Sequence, residues 1–189
     1  MSETPPIRYV AFLRAINVGG HVVKMDTLRR SFESLGLARV ETFLASGNAV
    51  FETTEHEPAA LASRIAERLR ADLGFEVATF LRSDEELSEV AAHQPFTAIE
   101  LESAMAQNVA FTGAPLDASE VENVQALTSA MDAFRVRGRE VYWLCRTRQS
   151  ESAFSNVVLE KTLGRPSTLR GRNTVAKMVA KWPPAGQGG

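Results

Sequence analysis

Arg14, Asn17, Gly19 and Gly20 fall in one short segment, Arg14-Ala15-Ile16-Asn17-Val18-Gly19-Gly20, directly after the apolar run Tyr9-Val10-Ala11-Phe12-Leu13. A guanidinium, an amide and glycine backbone at the mouth of a strand build a core badly. They suit an anion well, because the fork, the amide and unobstructed N–H groups all donate. Lys24 adds a further cation just downstream. Ser46-Gly47-Asn48, set between two apolar runs, has the same character, and so does Thr168-Leu169-Arg170-Gly171-Arg172-Asn173-Thr174 near the end of the chain.

Each segment also has a purely structural reading. Arg14 alternates with Val10 and Phe12, which places it on their face of a sheet, where Glu41 or Glu52 could pair with it. Asn17, Ser46 and Asn48 can close turns through side-chain to backbone bonds, with Gly47 at positive φ. Arg170, Arg172 and Asn173 can cap the last helix, with Asn173 as its N-cap; the functional version uses that helix start, reinforced by Arg170, as an anion seat.

Other chemistries lack their residues. No Walker loop, Rossmann glycine pattern or nucleophile elbow occurs, and no cofactor is expected. His21, His56 and His93 are scattered without a partner at helical spacing, so no metal is expected. Cys145 lies in the apolar run Val141-Tyr142-Trp143-Leu144-Cys145 and reads as a reduced core thiol. No general base or nucleophile accompanies the polar segments, so the sequence assigns no reaction.

At 44% apolar and 23% charged residues, the composition is that of a soluble globular protein. Without a spanning apolar run or a visible leader, the expectation is a cytoplasmic protein with no membrane partner. Charge is uneven: residues 1–134 hold 10 Lys/Arg against 20 Asp/Glu, and residues 135–181 hold 11 against 3. The basic part can face the acidic part, or it can receive phosphate or a nucleic-acid backbone.

Hydrophobic periodicity then supplies the elements that position these residues. Residues 8–13 read as a strand. Met25, Leu28, Phe32 and Leu35 mark a helix stopping near Gly36, and two strands flank the Ser46-Gly47-Asn48 turn. A helix runs from Pro58 to Gly74, Val77 to Leu81 is a strand, and Ser83 with Glu86 makes a capping box for a helix through Ala92. The second half repeats the order: a strand at Asn108 to Thr112, a helix over 118–130, a hairpin around Arg137-Gly138-Arg139, a helix over 152–163, a short strand at Pro166 to Thr168 and a helix over 174–181. Twice β-α-β-β-α-β gives an α+β fold of two tandem ferredoxin-like (split βαβ) subdomains with antiparallel sheets and an added C-terminal helix. The boundaries are 1–95 and 96–182, with 183–189 a disordered tail.

On these residues the chain resembles the bacterial family known as domain of unknown function 1697. The resemblance rests on Tyr9 to Gly20, on Lys24-Met25 with Leu28, and on Leu44-Ala45-Ser46-Gly47-Asn48-Ala49-Val50-Phe51. It continues through Pro95-Phe96, Glu140-Val141-Tyr142, Glu160 to Gly164, Pro166 to Arg170 and Asn173-Thr174-Val175, roughly residues 8 to 180 in all. It implies two tandem ferredoxin-like subdomains and no established activity. The family usually has glycine at Ala15 and an Asn-Trp pair where Gly171 and Arg172 stand.

Three functions follow as expectations. The first is a small anionic ligand, phosphorylated, nucleotide or carboxylate, held in a cleft between the subdomains by Arg14, Asn17, Gly19, Gly20, Lys24, Ser46, Gly47, Asn48, Arg170 and Asn173. The second is nucleic-acid binding by the basic hairpin with Arg135, Arg137, Arg139, Tyr142, Trp143, Arg146 and Arg148. The third is a structural or protein-interaction module whose polar motifs fix turns.

Overall fold

The computed structural model describes residues 5–16, 20–44 and 47–185. Its elements run β1 (Ile7–Leu13), α1 (Met25–Glu33), β2 (Ala38–Thr42), β3 (Asn48–Thr53), α2 (Pro58–Leu73), β4 (Thr79–Ser83), α3 (Asp84–Ala92) and α4 (Ala98–Glu102). Then come β5 (Ala106–Phe111), α5 (Ala118–Gln125), β6 (Asp132–Arg137), β7 (Glu140–Cys145), α6 (Asn156–Leu163), β8 (Thr168–Gly171) and α7 (Arg172–Lys181).

Two four-stranded antiparallel sheets form, in the order β2-β3-β1-β4 and β6-β7-β5-β8. The same order recurs because each half spells strand, helix, hairpin, helix, strand, the ferredoxin-like arrangement expected. The chain divides into two compact units, Met1–Ser88 with Lys181–Gly189, and Glu89–Ala180.

In the first unit, Tyr9, Ala11, Leu13, Phe51 and Leu81 point from the sheet onto Leu28, Phe32, Leu61, Ile65 and Leu69 of α1 and α2. Period 2 on the strands meets periods 3 and 4 on the helices, which is why this face closes. Local chemistry sets the ends of α2: Pro58 opens it, and Gly74 at φ 79° ends it with its N–H on the Arg70 carbonyl. In the second unit, Ala110, Phe134, Val141, Trp143 and Cys145 pack on Val124, Leu159 and Leu163 of α5 and α6.

Residues Lys181 and Trp182 close the first unit rather than the second. Trp182 is buried, meets the Phe43 ring edge-on at 5.4 Å and donates its indole N–H to Glu41 at 3.3 Å. Lys181 reaches the same carboxylate at 3.2 Å and lies 4.3 Å from the centre of the Trp182 ring. The Pro183 carbonyl accepts from Arg8 at 3.1 Å.

Several elements differ from the sequence reading. β4 lies two residues later than Val77 to Leu81, since Val77 is buried in the core before the strand ladder begins. α5 ends at Gln125, well short of residue 130. α4 was not expected; its five residues show no apolar period, and the Thr97–Glu100 capping box forms it locally.

Candidate functional site

The first two polar segments meet at one corner of the first unit. Antiparallel register sets Phe12 opposite Asn48, so the end of β1 lies beside the β2–β3 turn. The Leu13 N–H donates to the Gly47 carbonyl at 2.8 Å, and the Arg14 N–H donates to the Ala78 carbonyl at 2.9 Å. Gly47 has φ 79°, the left-handed value the turn requires, and a β-carbon there would sit 2.9 Å from that of Ile16. Only glycine lets the turn approach Ile16 this closely.

The corner carries strain on a second residue. Ala15 adopts φ 73°, a conformation that costs an L-residue with a β-carbon about 1–2 kcal/mol. Gly20 has φ 88°, with no atom of the described residues within 4 Å of where its side chain would start. Lys24 is exposed and opens α1, its carbonyl accepting from the Leu28 N–H at 3.1 Å. Asn17, Gly19 and Ser46, also expected here, lie outside the described residues.

Asn48 holds the turn itself. It is fully buried, its amide donates to the Phe43 carbonyl at 2.8 Å, and its own carbonyl accepts from the Phe43 N–H at 3.0 Å. Arg14 is half-buried. Glu41 serves Lys181 and Trp182, and Glu52 serves Arg8 at 3.2 Å and Arg39 at 3.4 Å.

In the second unit Arg170 is buried on β8, opposite Val109, and donates to the Thr168 hydroxyl and the Leu169 carbonyl, each at 2.8 Å. Burial lowers its pKa to about 10, so it stays charged at neutral pH. Arg82 occupies the matching place on β4, opposite Val10, more deeply buried and bonded to the preceding carbonyl at 2.7 Å. Sequence reasoning passed over Arg82; its place in the second-half repeat of Arg170 was the available signal.

Asn173 is not an N-cap. β8 runs straight into α7 at Arg172, leaving Asn173 exposed inside the first turn, on the rim of a hollow of about 170 Å³. Arg172 donates to the Ala91 carbonyl at 3.1 Å and the His93 carbonyl at 2.6 Å. These are carbonyls at the end of α3, so this arginine is a C-terminal cap. Burial, then Arg137 and then Arg172, holds the His93 pKa below its usual value.

The basic hairpin is largely occupied. Tyr142 and Trp143 are buried, and the Trp143 indole donates to Asp132 at 2.8 Å. Arg135 pairs with Glu100 at 2.9 Å, and Arg146 donates to the Ser103 hydroxyl at 3.0 Å. The Cys145 thiol is buried, with its pKa pushed up chiefly by that burial. Among the described residues no helix is long and apolar enough to cross a membrane.

At the opposite strand ends of the first sheet lies a cleft of about 800 Å³ that no sequence motif announced. The start of β1, the end of β3, the start of α2 and the β4–α3 junction contribute its walls. A bulge in β2 puts Arg39 at φ 49° and aims it at Glu52.

This fold and these motifs define the class. Residues 7–142 match the family described as "Protein of unknown function (DUF1697)", and the chain belongs to that family. The motifs after residue 142 lie outside the matched span. Among solved structures, the conserved bacterial protein SP0830 from Streptococcus pneumoniae is similar, with a TM-score of 0.75 and 24% identity over 94% of this chain and 98% of that one. That likeness concerns the fold. No curated protein matches the chain.

Proposed function

We propose that the protein binds a small anionic ligand, phosphorylated, nucleotide or carboxylate, at the corner where the end of β1 meets the β2–β3 turn. The observation that supports this most is the fit of Gly47 against Leu13 and Ile16, which draws two polar, glycine-bearing segments together at the cost of a strained Ala15. Strain retained at a surface corner fits a binding role better than a packing one. Arg14 and Lys24 supply the charge, and the open backbone at Gly20 admits close approach. Asn17, Gly19 and Ser46 enter from the sequence alone, as do Arg170 and Asn173 of the second unit.

A thermal-shift screen of phosphorylated metabolites, nucleotides and carboxylates tests this on the full chain. The expected result is a ligand-dependent rise in Tm that Arg14→Ala removes while the unliganded Tm stays near wild type. A panel without any shift, or a shift that survives Arg14→Ala, overturns it.

One observation favours the structural reading instead. Asn48 and Arg170 make hydrogen bonds inside their own turn and strand. On that reading Arg14→Ala lowers the unliganded Tm and there is no ligand shift to lose. The nucleic-acid reading draws less support, since Tyr142 and Trp143 are buried where a single strand would need exposed rings.

A further inference from the structure

We propose that the start of α7 is a second binding site, one that seats a single inorganic oxyanion, phosphate or sulfate, over Gly171. Every residue it uses belongs to the second unit, so it stands whether or not the Gly47 corner binds anything. α7 has ten residues and follows β8 directly, and the first N–H groups of such a helix have no partner within it. That alone is commonplace, since water serves most helix starts.

Asn108 sets this helix start apart. The residue is only 6% exposed, and its Nδ2 is buried with no hydrogen-bond partner among the described residues. Arg165 Nε is in the same position, but the other nitrogens of that guanidinium bond Ala114, Pro115 and Glu120. Asn108 Oδ1 accepts from Gln149 at 3.3 Å, which leaves the donor end of the amide unused. A buried donor left unmade costs about 1–3 kcal/mol, and buried amides normally find an acceptor.

Asn108 stands opposite Gly171 on the last rung of the β5–β8 ladder. The β-carbon that Gly171 lacks would lie 4.0 Å from Asn108 Oδ1 and 3.9 Å from Thr174 Oγ1. The carboxamide therefore leans across the rung toward the first turn of α7. An amide, a hydroxyl and a helix start frame the space over Gly171. Just past that rung the chains part around the hollow of about 170 Å³, between residues 104–107 and Arg172 with Asn173.

The groups around that space select the ligand. Asn108 Nδ2, the Thr174 hydroxyl and the first N–H groups of α7 can all donate, so the guest must accept. The helix start is the positive end of its dipole, Arg172 lines the hollow, and no carboxylate lines it among the described residues, which favours an anion over a cation. The hollow admits one tetrahedral ion and falls short of the roughly 300 Å³ at which sites for larger organic ligands begin. Arg170, which the sequence offered as support for this helix start, alternates with Gly171 along β8 and bonds Thr168 on the other face of the sheet.

NMR titration of the full chain with sodium phosphate and with sodium sulfate tests the site, with sodium chloride at matched ionic strength as control. The Asn108 side-chain amide and the backbone amides of Asn173 and Thr174 should shift saturably with both oxyanions and stay still in chloride. Gly171 is not at positive φ, and a methyl there would meet both oxygens at ordinary contact distance. Gly171→Ala should therefore keep its Tm while the methyl fills the seat. Asn108→Leu keeps the bulk and removes the donor. Each should weaken the oxyanion by about tenfold or more, the equivalent of one charge-assisted contact. Arg14→Ala should leave these shifts unchanged, which separates this site from the corner in the first unit. An Asn108 amide that never moves would mean that water alone serves it and would end the proposal. So would equal shifts in chloride, or full-strength binding in either variant of the second unit.

Discussion

The β-carbon that Gly47 lacks would lie 2.9 Å from the β-carbon of Ile16 and 3.2 Å from the Leu13 carbonyl oxygen. Gly20, at a similar φ of 88°, has nothing within 4 Å of that position among the described residues. The pair separates two costs that usually arrive together. Gly20→Ala should cost only the left-handed backbone penalty, about 1–2 kcal/mol. Gly47→Ala should add overpacking against backbone and a branched side chain, about 1–3 kcal/mol more. Urea denaturation of both variants checks the order; equal losses would mean the turn does not rest on Ile16.

Ala15 predicts the opposite sign. Its φ of 73° is strained for alanine, and glycine adopts it freely. Ala15→Gly also loosens the unfolded chain, which offsets roughly 0.5–1 kcal/mol of the relief. A net gain of a few tenths to about 1 kcal/mol is expected, read as a higher midpoint in the same denaturation assay. A loss would show that Ala15 is not held in that conformation.

Asp72 supplies a test in acid. Its carboxylate accepts from Ser31 of α1 at 2.7 Å and from Arg68 of α2 at 2.8 Å. Ser31 first, and then Arg68 against the opposing effect of burial, holds its pKa below the usual carboxylate value. The folded state therefore binds that proton less readily than the unfolded state does. The stabilisation is present above the unfolded pKa and is lost as pH falls through the lower folded one. Ser31→Ala should cost about 1–2 kcal/mol at pH 7 and progressively less below pH 4, followed by thermal unfolding across that range. A cost independent of pH would remove the linkage.

Arg172 can be tested through its neighbour. Arg172→Leu removes the two carbonyl contacts at the end of α3, an expected loss of about 1 kcal/mol. It also removes a positive charge acting on His93, so the His93 pKa should rise toward its ordinary value. A histidine titration by NMR follows it. Arg137→Leu, which takes away the larger of the two charge effects, should move His93 at least as far. An unmoved resonance in both variants would leave burial as the only cause.

Sequence made some of this visible for identifiable reasons. α2 was legible at both ends because Pro58 and Gly74 act locally, and α3 because Ser83 and Glu86 bond each other across three residues. α7 was misread at Asn173 because nothing local starts it; the chain passes from β8 into the helix without a cap. The Gly47 corner was readable, since two of its segments are contiguous runs of unusual composition. The cleft at the opposite strand ends of the first sheet was not. Its walls come one or two residues at a time from separate elements, and Tyr9 itself reads as an ordinary core position.

Trp182 and Lys181 settle on Phe43 and Glu41, so the first unit awaits residues made after the second. During synthesis, the strands and helices up to Ser88 emerge from the ribosome long before the indole that covers Phe43. A nascent or prematurely terminated chain would keep that ring uncovered. Synthesis past the second unit is thus registered structurally in the unit that was made first.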